Sequence, residues 1–500
     1  MDEERILAYV DYAISNLTKS NYLSGLQCAK LLWITKNDKS KIPEPTEMEK
    51  ARFKEGYLIE ELAQGLFTEK IDLSELNFNE QIEKTKKFLE KRIPIFQASF
   101  LIDNLYSRAD ILFPAGEDKW DIIEIKSSTE VKEIHLDDLS FQKYVYEKSG
   151  LKIRKCIVMH VNPEYVRQGN LEPKEFLIQT DVSEKVEKSI SGIEERTENM
   201  LEIIKGECPD FLIDDLKTME YDNLVKDEFM DSLPENNIFQ FRYLFTKKAV
   251  ELYKEDIVKM SEVPDSFKLN DKQKIQKLLA ENGGKHIDKK QIKHFLDNLQ
   301  YPLYYLDFET INTAIPKFDN SKPYQQIPFQ FSLHIQEKPE GGLKHIIFLA
   351  DGTSDPRPKF LQALKDNLGN KGDILVYNQR FEKMVLREGA EYFPEFLDWH
   401  DKNILLRIKD LMEVFDKFYY YDPKQKGSVS IKYVLPLLSD LSYDELEIRK
   451  GDIASYEFER VTYGNVPNEE RLRVRRALEK YCKLDTLAEV EIVKGLRNSV

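Results

Sequence analysis

The stretch Tyr304-Tyr305-Leu306-Asp307-Phe308-Glu309-Thr310 reads as a buried β-strand that delivers two carboxylates at its end. Strand side chains alternate faces, so Asp307 and Glu309 project to the same side. Two like charges buried side by side are costly unless something positive lies between them. A divalent hard cation with oxygen ligands meets that need, and carboxylates gathered around such cations suit two-metal phosphodiester hydrolysis. Further parts follow downstream. Asn378-Gln379-Arg380-Phe381-Glu382 succeeds the short apolar strand Ile374-Leu375-Val376-Tyr377, which places Glu382 in a first helical turn. Tyr481 and Asp485 are four apart in a helical run and share a face. A tyrosine beside a carboxylate can orient an attacking water. Cys482, a soft donor, is expected to point away from a site of hard oxygen ligands.

A second constellation lies near the N-terminus. Asp110 sits in one predicted strand, and Glu124-Ile125-Lys126 ends the next, after Trp120-Asp121-Ile122-Ile123. Glu124 and Lys126 face one side of that strand. Gln142 and Tyr146 share a face of the helix that follows. Two carboxylates on Mg²⁺ with a lysine beside the attacking water form a phosphodiesterase arrangement. The lysine balances charge building on the phosphate. Glu130-Val131-Lys132 repeats the pattern but reads as a solvated turn.

These motifs carry two resemblances. Asp307, Glu309, Glu382, Tyr481 and Asp485 together resemble the DnaQ-like 3′–5′ exonucleases of the RNase H fold, in the variant whose third motif is Tyr-x-x-x-Asp. The resemblance implies that Asp307, Glu309, Glu382 and Asp485 bind metal. The family usually has Asp where Glu382 stands. The stretch 426–436, Lys-Gly-Ser-Val-Ser-Ile-Lys-Tyr-Val-Leu-Pro, looks like a signature of an uncharacterised exonuclease-like domain found fused behind RecB-type nucleases. Its Lys432 is a candidate for holding phosphate, and Ser430 for capping a helix. Asp110, Glu124, Lys126, Gln142 and Tyr146 resemble the RecB branch of the PD-(D/E)XK superfamily over residues 20–230. That branch adds an acid or His from an early helix to the metal shell. Gly56-Tyr57-Leu58-Ile59-Glu60 places Glu60 there, with Glu61 adjacent. Many relatives also hold an iron–sulfur cluster on four cysteines. Here Cys28 and Cys208 stand at two of those places, and Tyr221-Asp222-Asn223 and Asp227-Glu228 stand at the others. A cluster needs four good ligands, so none is expected, and Cys28 and Cys208 read as ordinary buried residues.

These pieces must be positioned by more than one core, because 500 residues exceed one ordinary domain. Helix over residues 48–67, strands near 98–102, 105–113 and 120–125, helix 137–148 and strand 153–161 give an α/β order. The expectation is an α/β multidomain chain. Residues 1–235 form a PD-(D/E)XK (restriction-endonuclease-like) domain, 236–300 a helical linker, and 301–500 an RNase H-like exonuclease domain. The four cysteines are far apart and no apolar run approaches a membrane span. The first residues, Met1-Asp2-Glu3-Glu4-Arg5, lack the layout of a secretory signal, so a cytoplasmic chain is expected. No phosphate-cradling G-x-x-x-x-G-K-[S/T] motif is present. His160 reads as a core histidine.

The net charge of −15 runs against a polyanionic partner, so basic residues must be local to any nucleic-acid site. Candidates are Arg380 and Lys383 beside Glu382, Lys432, and the run Arg471-Leu472-Arg473-Val474-Arg475-Arg476. The leading reading is a Mg²⁺- or Mn²⁺-dependent nuclease with two different sites, acting on DNA rather than RNA, in repair or defence against foreign DNA. The alternatives are a chain in which one domain cuts and the other binds nucleic acid, and a non-catalytic scaffold of a repair or defence complex.

Overall fold

The computed structural model describes residues 16–219 and 223–500. Met1 to Arg5 and Tyr221-Asp222 therefore lie outside the described residues. The chain is mixed α/β and divides into two compact units, 1–232 with 314–324, and 233–313 with 325–500.

The first unit is built on a seven-stranded mixed sheet. Its strands are β1 (Leu17–Thr18), β2 (Ile71–Asp72), β3 (Ile95–Ile102), β4 (Leu105–Ala115), β5 (Lys119–Lys126), β6 (Lys152–Val161) and β7 (Leu177–Asp181). They run in the order β2-β3-β4-β5-β6-β7, with β1 parallel to the start of β4. Asp103 and Asn104 both take positive φ, which matches the twist of the β3–β4 hairpin. β5 and β6 are parallel neighbours, so the chain must cross over between them, and the helix Glu133–Lys148 makes that crossover. Alternation along β5 feeds two cores. Ile122 packs with Leu139, Phe141 and Tyr146 of the crossover helix, while Ile123 packs with Ile59 and Ala63 of the helix Glu47–Gln64.

The second unit contains β8 (His286–Ile287), β9 (Leu303–Ile311), β10 (Ile327–Gln336), β11 (Leu343–Leu349), β12 (Ile374–Val376), β13 (Ile408–Asp410) and β14 (Tyr420–Tyr421). A five-stranded sheet has the order β11-β10-β9-β12-β13. β11, β10 and β9 are antiparallel neighbours, and β9, β12 and β13 are parallel. Tyr304, Leu306 and Phe308 enter one core with Phe331, Phe360 and Leu386. The opposite face of β9 carries Asp307 and Glu309 and lies under a 32-residue helix, Asn468–Ser499. Residues 236–300 belong to this unit rather than standing apart. Ile238, Phe241, Leu252 and Met260 form a small core there, and β8 pairs with β14. Among the described residues no helix is long and apolar enough to cross a membrane.

Candidate functional site

Two buried carboxylate clusters occupy the two units. In the second unit, one ligand oxygen from each of Asp307, Glu309 and Asp485 lies within 4.8 Å of the others. β9 supplies the first two and the long helix supplies the third. Asp485 Oδ1 accepts from Tyr443 Oη at 2.7 Å, and Tyr481 stands one turn earlier on the helix. Burial, followed by repulsion from Asp485, Glu309 and Glu382, pushes the Asp307 carboxyl well above its ordinary value. Burial and Asp485 do the same to Glu309. Burial pushes Asp485 up to about 7, against the hydrogen bonds from Tyr443 and Tyr481 and the charge of Lys432.

Glu382 stands in the first turn of the helix Gln379–Tyr392, as the sequence predicts, and is 2% exposed. Burial, with a contribution from Asp410, pushes it up to about 8. It is felt by Asp307 but lies outside the tight three-residue group. The end of β13 fixes its helix. Asp410 Oδ1 accepts from the backbone N–H of Asn378 and Met412, and Oδ2 accepts from that of Gln379. A carboxylate at a helix N-terminus is favourable. Glu489, one turn beyond Asp485, is another buried acid pushed up by burial and by Asp307, Glu382 and Asp485. Glu382 Oε2, Asp485 Oδ2 and Glu489 Oε2 are buried without a hydrogen-bond partner. Such atoms are rare, and a set of hard oxygen donors in this state suits a divalent cation.

Lys432 is the cation felt by both Glu309 and Asp485. It lies on the helix Ile431–Leu438 and donates to Arg449 O at 2.7 Å. That helix approaches the long helix at Gly495, where an added Cβ would stand 2.6 Å from Leu438 Cβ. The helix Gly451–Tyr463 begins against the cluster, and a Cβ on Gly451 would lie 3.4 Å from Glu309 Oε2.

Several expectations for this unit need correction. Cys482 does not point away: its Sγ lies 3.9 Å from both Asp307 O and Oδ2. Lys383, which donates to Gln379 Oε1 at 2.6 Å, and the exposed Arg380 lie on the helix of Glu382, as the sequence predicts. Ser430 stands at the helix start but its hydroxyl makes no capping bond. Arg475, within the basic run, donates to the Ala350 and Leu349 carbonyls.

In the first unit the crossover helix faces β5. Glu124 Oε1 accepts from Lys126 Nζ and from Lys19 Nζ, each at 2.7 Å. Glu124 Oε2 accepts from Gln142 Nε2 at 2.7 Å. Asp138, one turn before Gln142, takes Lys126 on Oδ2 at 2.8 Å and Gln142 on Oδ1 at 2.8 Å. Asp110 Oδ2 accepts from Ile125 N at 2.7 Å, which ties β4 to the end of β5. Burial alone would raise Glu124, but Lys126 and Lys19 outweigh it and hold the carboxyl well below the usual range. Burial and Glu124 push Asp110 up to about 7.

The structure brings Asp110, Glu124, Lys126 and Gln142 together. Tyr146 takes a different place: its hydroxyl accepts from Ala109 N at 2.7 Å and donates to Ala98 O at 2.8 Å, bracing β3 and β4. Glu60 accepts from Gln97 Nε2 at 2.5 Å, and Glu124 contributes to the rise of its carboxyl, after burial. Glu61 instead lines an apolar cavity with Leu58, Leu62 and Leu171. Cys28 is buried and its Sγ accepts from Leu31 N at a helix start, whereas Cys208 is exposed, contrary to expectation. His160 is buried and bonded to Thr180 and Val161.

Sequence reading missed Lys19, Asp138, Tyr443 and Glu489. Asp138 and Glu489 were within reach, since each stands four residues from a residue already singled out on the same helix.

Residues 304–430 match a domain of unknown function, DUF2779. The match includes Asp307, Glu309 and Glu382 and ends before Lys432 and Asp485. An uncharacterized protein of Mycoplasma pneumoniae is 28% identical over 56% of this chain and 50% of its own length. One from Mycoplasma genitalium is 29% identical over 42% of this chain and 34% of its own, and one from Ureaplasma parvum 27% over 38% and 30%. The chain thus spans half or less of the curated relatives it matches. No solved structure matches it significantly.

Proposed function

We propose that this chain is a metal-dependent nuclease that hydrolyses DNA phosphodiesters at two distinct sites. One is a RecB-like PD-(D/E)XK site in the first unit, and the other a DnaQ-like exonuclease site on an RNase H-like sheet in the second. The observation that carries the reading is the convergence of Asp307, Glu309 and Asp485 within 4.8 Å, with buried unpartnered carboxylate oxygens beside them. The order and directions of the five strands are compatible with the RNase H-like assignment.

Asp307, Glu309 and Asp485 would hold Mg²⁺ or Mn²⁺, with Glu382 behind them. Bound there, the cations supply charge stabilisation for the phosphoryl oxygens and a stronger nucleophile. The chain's own groups have separate tasks. Tyr443 holds Asp485, and Tyr481 offers a hydroxyl for orienting a water. Lys432 balances negative charge on Glu309 and Asp485. In the first unit Asp110 and Glu124 would be the metal carboxylates, Gln142 orients Glu124, and Lys126 faces the phosphate. A role in DNA repair or in defence against foreign DNA fits such an enzyme.

One observation favours a second reading in which only the second unit cuts. Glu124 and Asp138 of the first unit are already paired with two lysines. The experiment is a Mg²⁺ and Mn²⁺ activity panel on single- and double-stranded DNA and RNA, with Asp307→Ala/Glu309→Ala and Lys126→Ala variants. Two separable activities support two sites. Cleavage lost entirely with Asp307 and Glu309 leaves the first unit as a nucleic-acid-binding module. No cleavage by any form removes the enzymatic reading.

A further inference from the structure

We propose that Lys19 is a positioning residue of the first unit's site: an internal cation that holds Glu124 and Asp138 until a divalent ion replaces it. This rests on the reading that the site takes such an ion. Lys19 Nζ lies 2.7 Å from Glu124 Oε1 and 3.5 Å from Asp138 Oδ1. Lys126 occupies the same Glu124 oxygen and the other Asp138 oxygen, and Gln142 takes Glu124 Oε2 and Asp138 Oδ1. All four carboxylate oxygens are therefore engaged. A divalent ion on Asp110 and Glu124, ligated at ~2.0–2.1 Å, therefore competes with these donors for Glu124.

The geometry selects which donor leaves. Lys126 belongs to β5, two residues from Glu124, and Gln142 is fully buried on the crossover helix. Lys19 and Lys126 are equally open to solvent, at 23% and 24%, but Lys19 comes from the start of a different helix, Lys19–Gln27. That helix start is fixed without its ammonium. Thr18 caps it through Asn21 N, and β1 pairs with β4 at Leu105 and Tyr106. Four flexible methylenes can thus swing the charge outward while the backbone stays in place. A permanent ion pair would also explain the contacts, but it would keep Lys19 in place when metal binds.

The experiment uses the full chain with Asp307→Asn, Glu309→Gln and Asp485→Asn, so that metal binding reports on the first unit. Mn²⁺ is titrated calorimetrically, and lysines are pulse-acetylated with and without Mn²⁺ and read by mass spectrometry. Lys152, exposed and paired with Asp118, serves as the reference. The expected result is several-fold faster acetylation of Lys19 in Mn²⁺, with Lys152 unchanged. Lys19→Met should bind Mn²⁺ about tenfold or more tighter, since a like charge has left the site. Mn²⁺ binding with Lys19 acetylation unchanged overturns the exchange while leaving the metal reading intact. No Mn²⁺ binding by either form removes both. Should Lys19→Met fail to fold, the acetylation of the native lysine decides alone.

Discussion

The two buried carboxylate clusters solve the same electrostatic problem in opposite ways. In the first unit Asp110, Glu124 and Asp138 face two ammonium groups, and every oxygen of Glu124 and Asp138 is bonded. In the second unit Asp307, Glu309, Glu382, Asp485 and Glu489 gather with one lysine, Lys432, felt by Glu309 and Asp485, and its ammonium donates to a backbone carbonyl. A buried charge without a partner costs several kcal/mol, so the second cluster is stable only if protonated or if a cation arrives. The difference teaches that buried acids alone do not mark readiness for metal. What the neighbouring cations already neutralise matters as much.

The largest expected effect is on chemistry. Asp307→Asn should lower metal-dependent cleavage by the second unit about 10²–10³-fold or more, on the scale of losing one group aimed at developing charge. Cleavage rates in Mg²⁺, with the first unit silenced by Lys126→Ala, measure this. An unchanged rate would break the comparison at its root.

Stability should move in opposite directions in chelator-treated protein. Glu124→Gln leaves two lysines sharing Asp138 alone and should cost about 3 kcal/mol in urea unfolding. Glu489→Met removes an unpartnered buried oxygen and should gain about 1–3 kcal/mol. A loss at Glu489 would mean that its charge is already compensated.

The pH dependence sharpens the contrast. Glu382 rises from 4.5 to about 8 in the fold, and Asp485 from 3.8 to about 7. Unfolding therefore releases protons between the ordinary carboxylate range and those values, and stability falls as pH rises through that window. Glu124 has the opposite sign: its depressed pKa stabilises the fold above 4.5, and that contribution is lost as pH falls. Melting of chelator-treated protein from pH 5 to 8 should show the first trend, and Mg²⁺ should flatten it. A flat profile without metal would mean that the second cluster has its own counter-charge.

The smallest effect concerns substrate binding. Lys432→Ala should reduce the slope of log affinity against log salt by about 0.7–0.9 on DNA, one phosphate contact. Arg380→Ala with Lys383→Ala should leave the slope unchanged, because neither is among the charges that reach Glu382. Fluorescence anisotropy on catalytically silenced protein distinguishes the two pairs of outcomes.

Much of this arrangement was legible in the sequence for physical reasons. Strand β9 is apolar on one face and carries Asp307 and Glu309 on the other, so period-two alternation revealed both the strand and its chemistry. Tyr481 and Asp485 announced themselves by helical spacing. β13 was missed because three residues, Ile408-Lys409-Asp410, are too few to show a period, yet Asp410 anchors the helix of Glu382. Lys19 meets Glu124 across 105 positions, and no local pattern encodes such a contact. Arg380 and Lys383 flank Glu382 in sequence, but with about 100° of rotation per residue on a helix, nearness in sequence does not fix which face each takes.

The close approach at Gly495 gives the second unit a remote vulnerability. The residue offers no ligand atom, but its missing Cβ lets the helix of Lys432 lie against the helix of Asp485. A single methyl group there would act as a wedge, tilting one helix off the other and widening the distance between the lysine and the acids. A substitution ten positions beyond Asp485 would then behave as an active-site lesion while leaving every acidic residue intact.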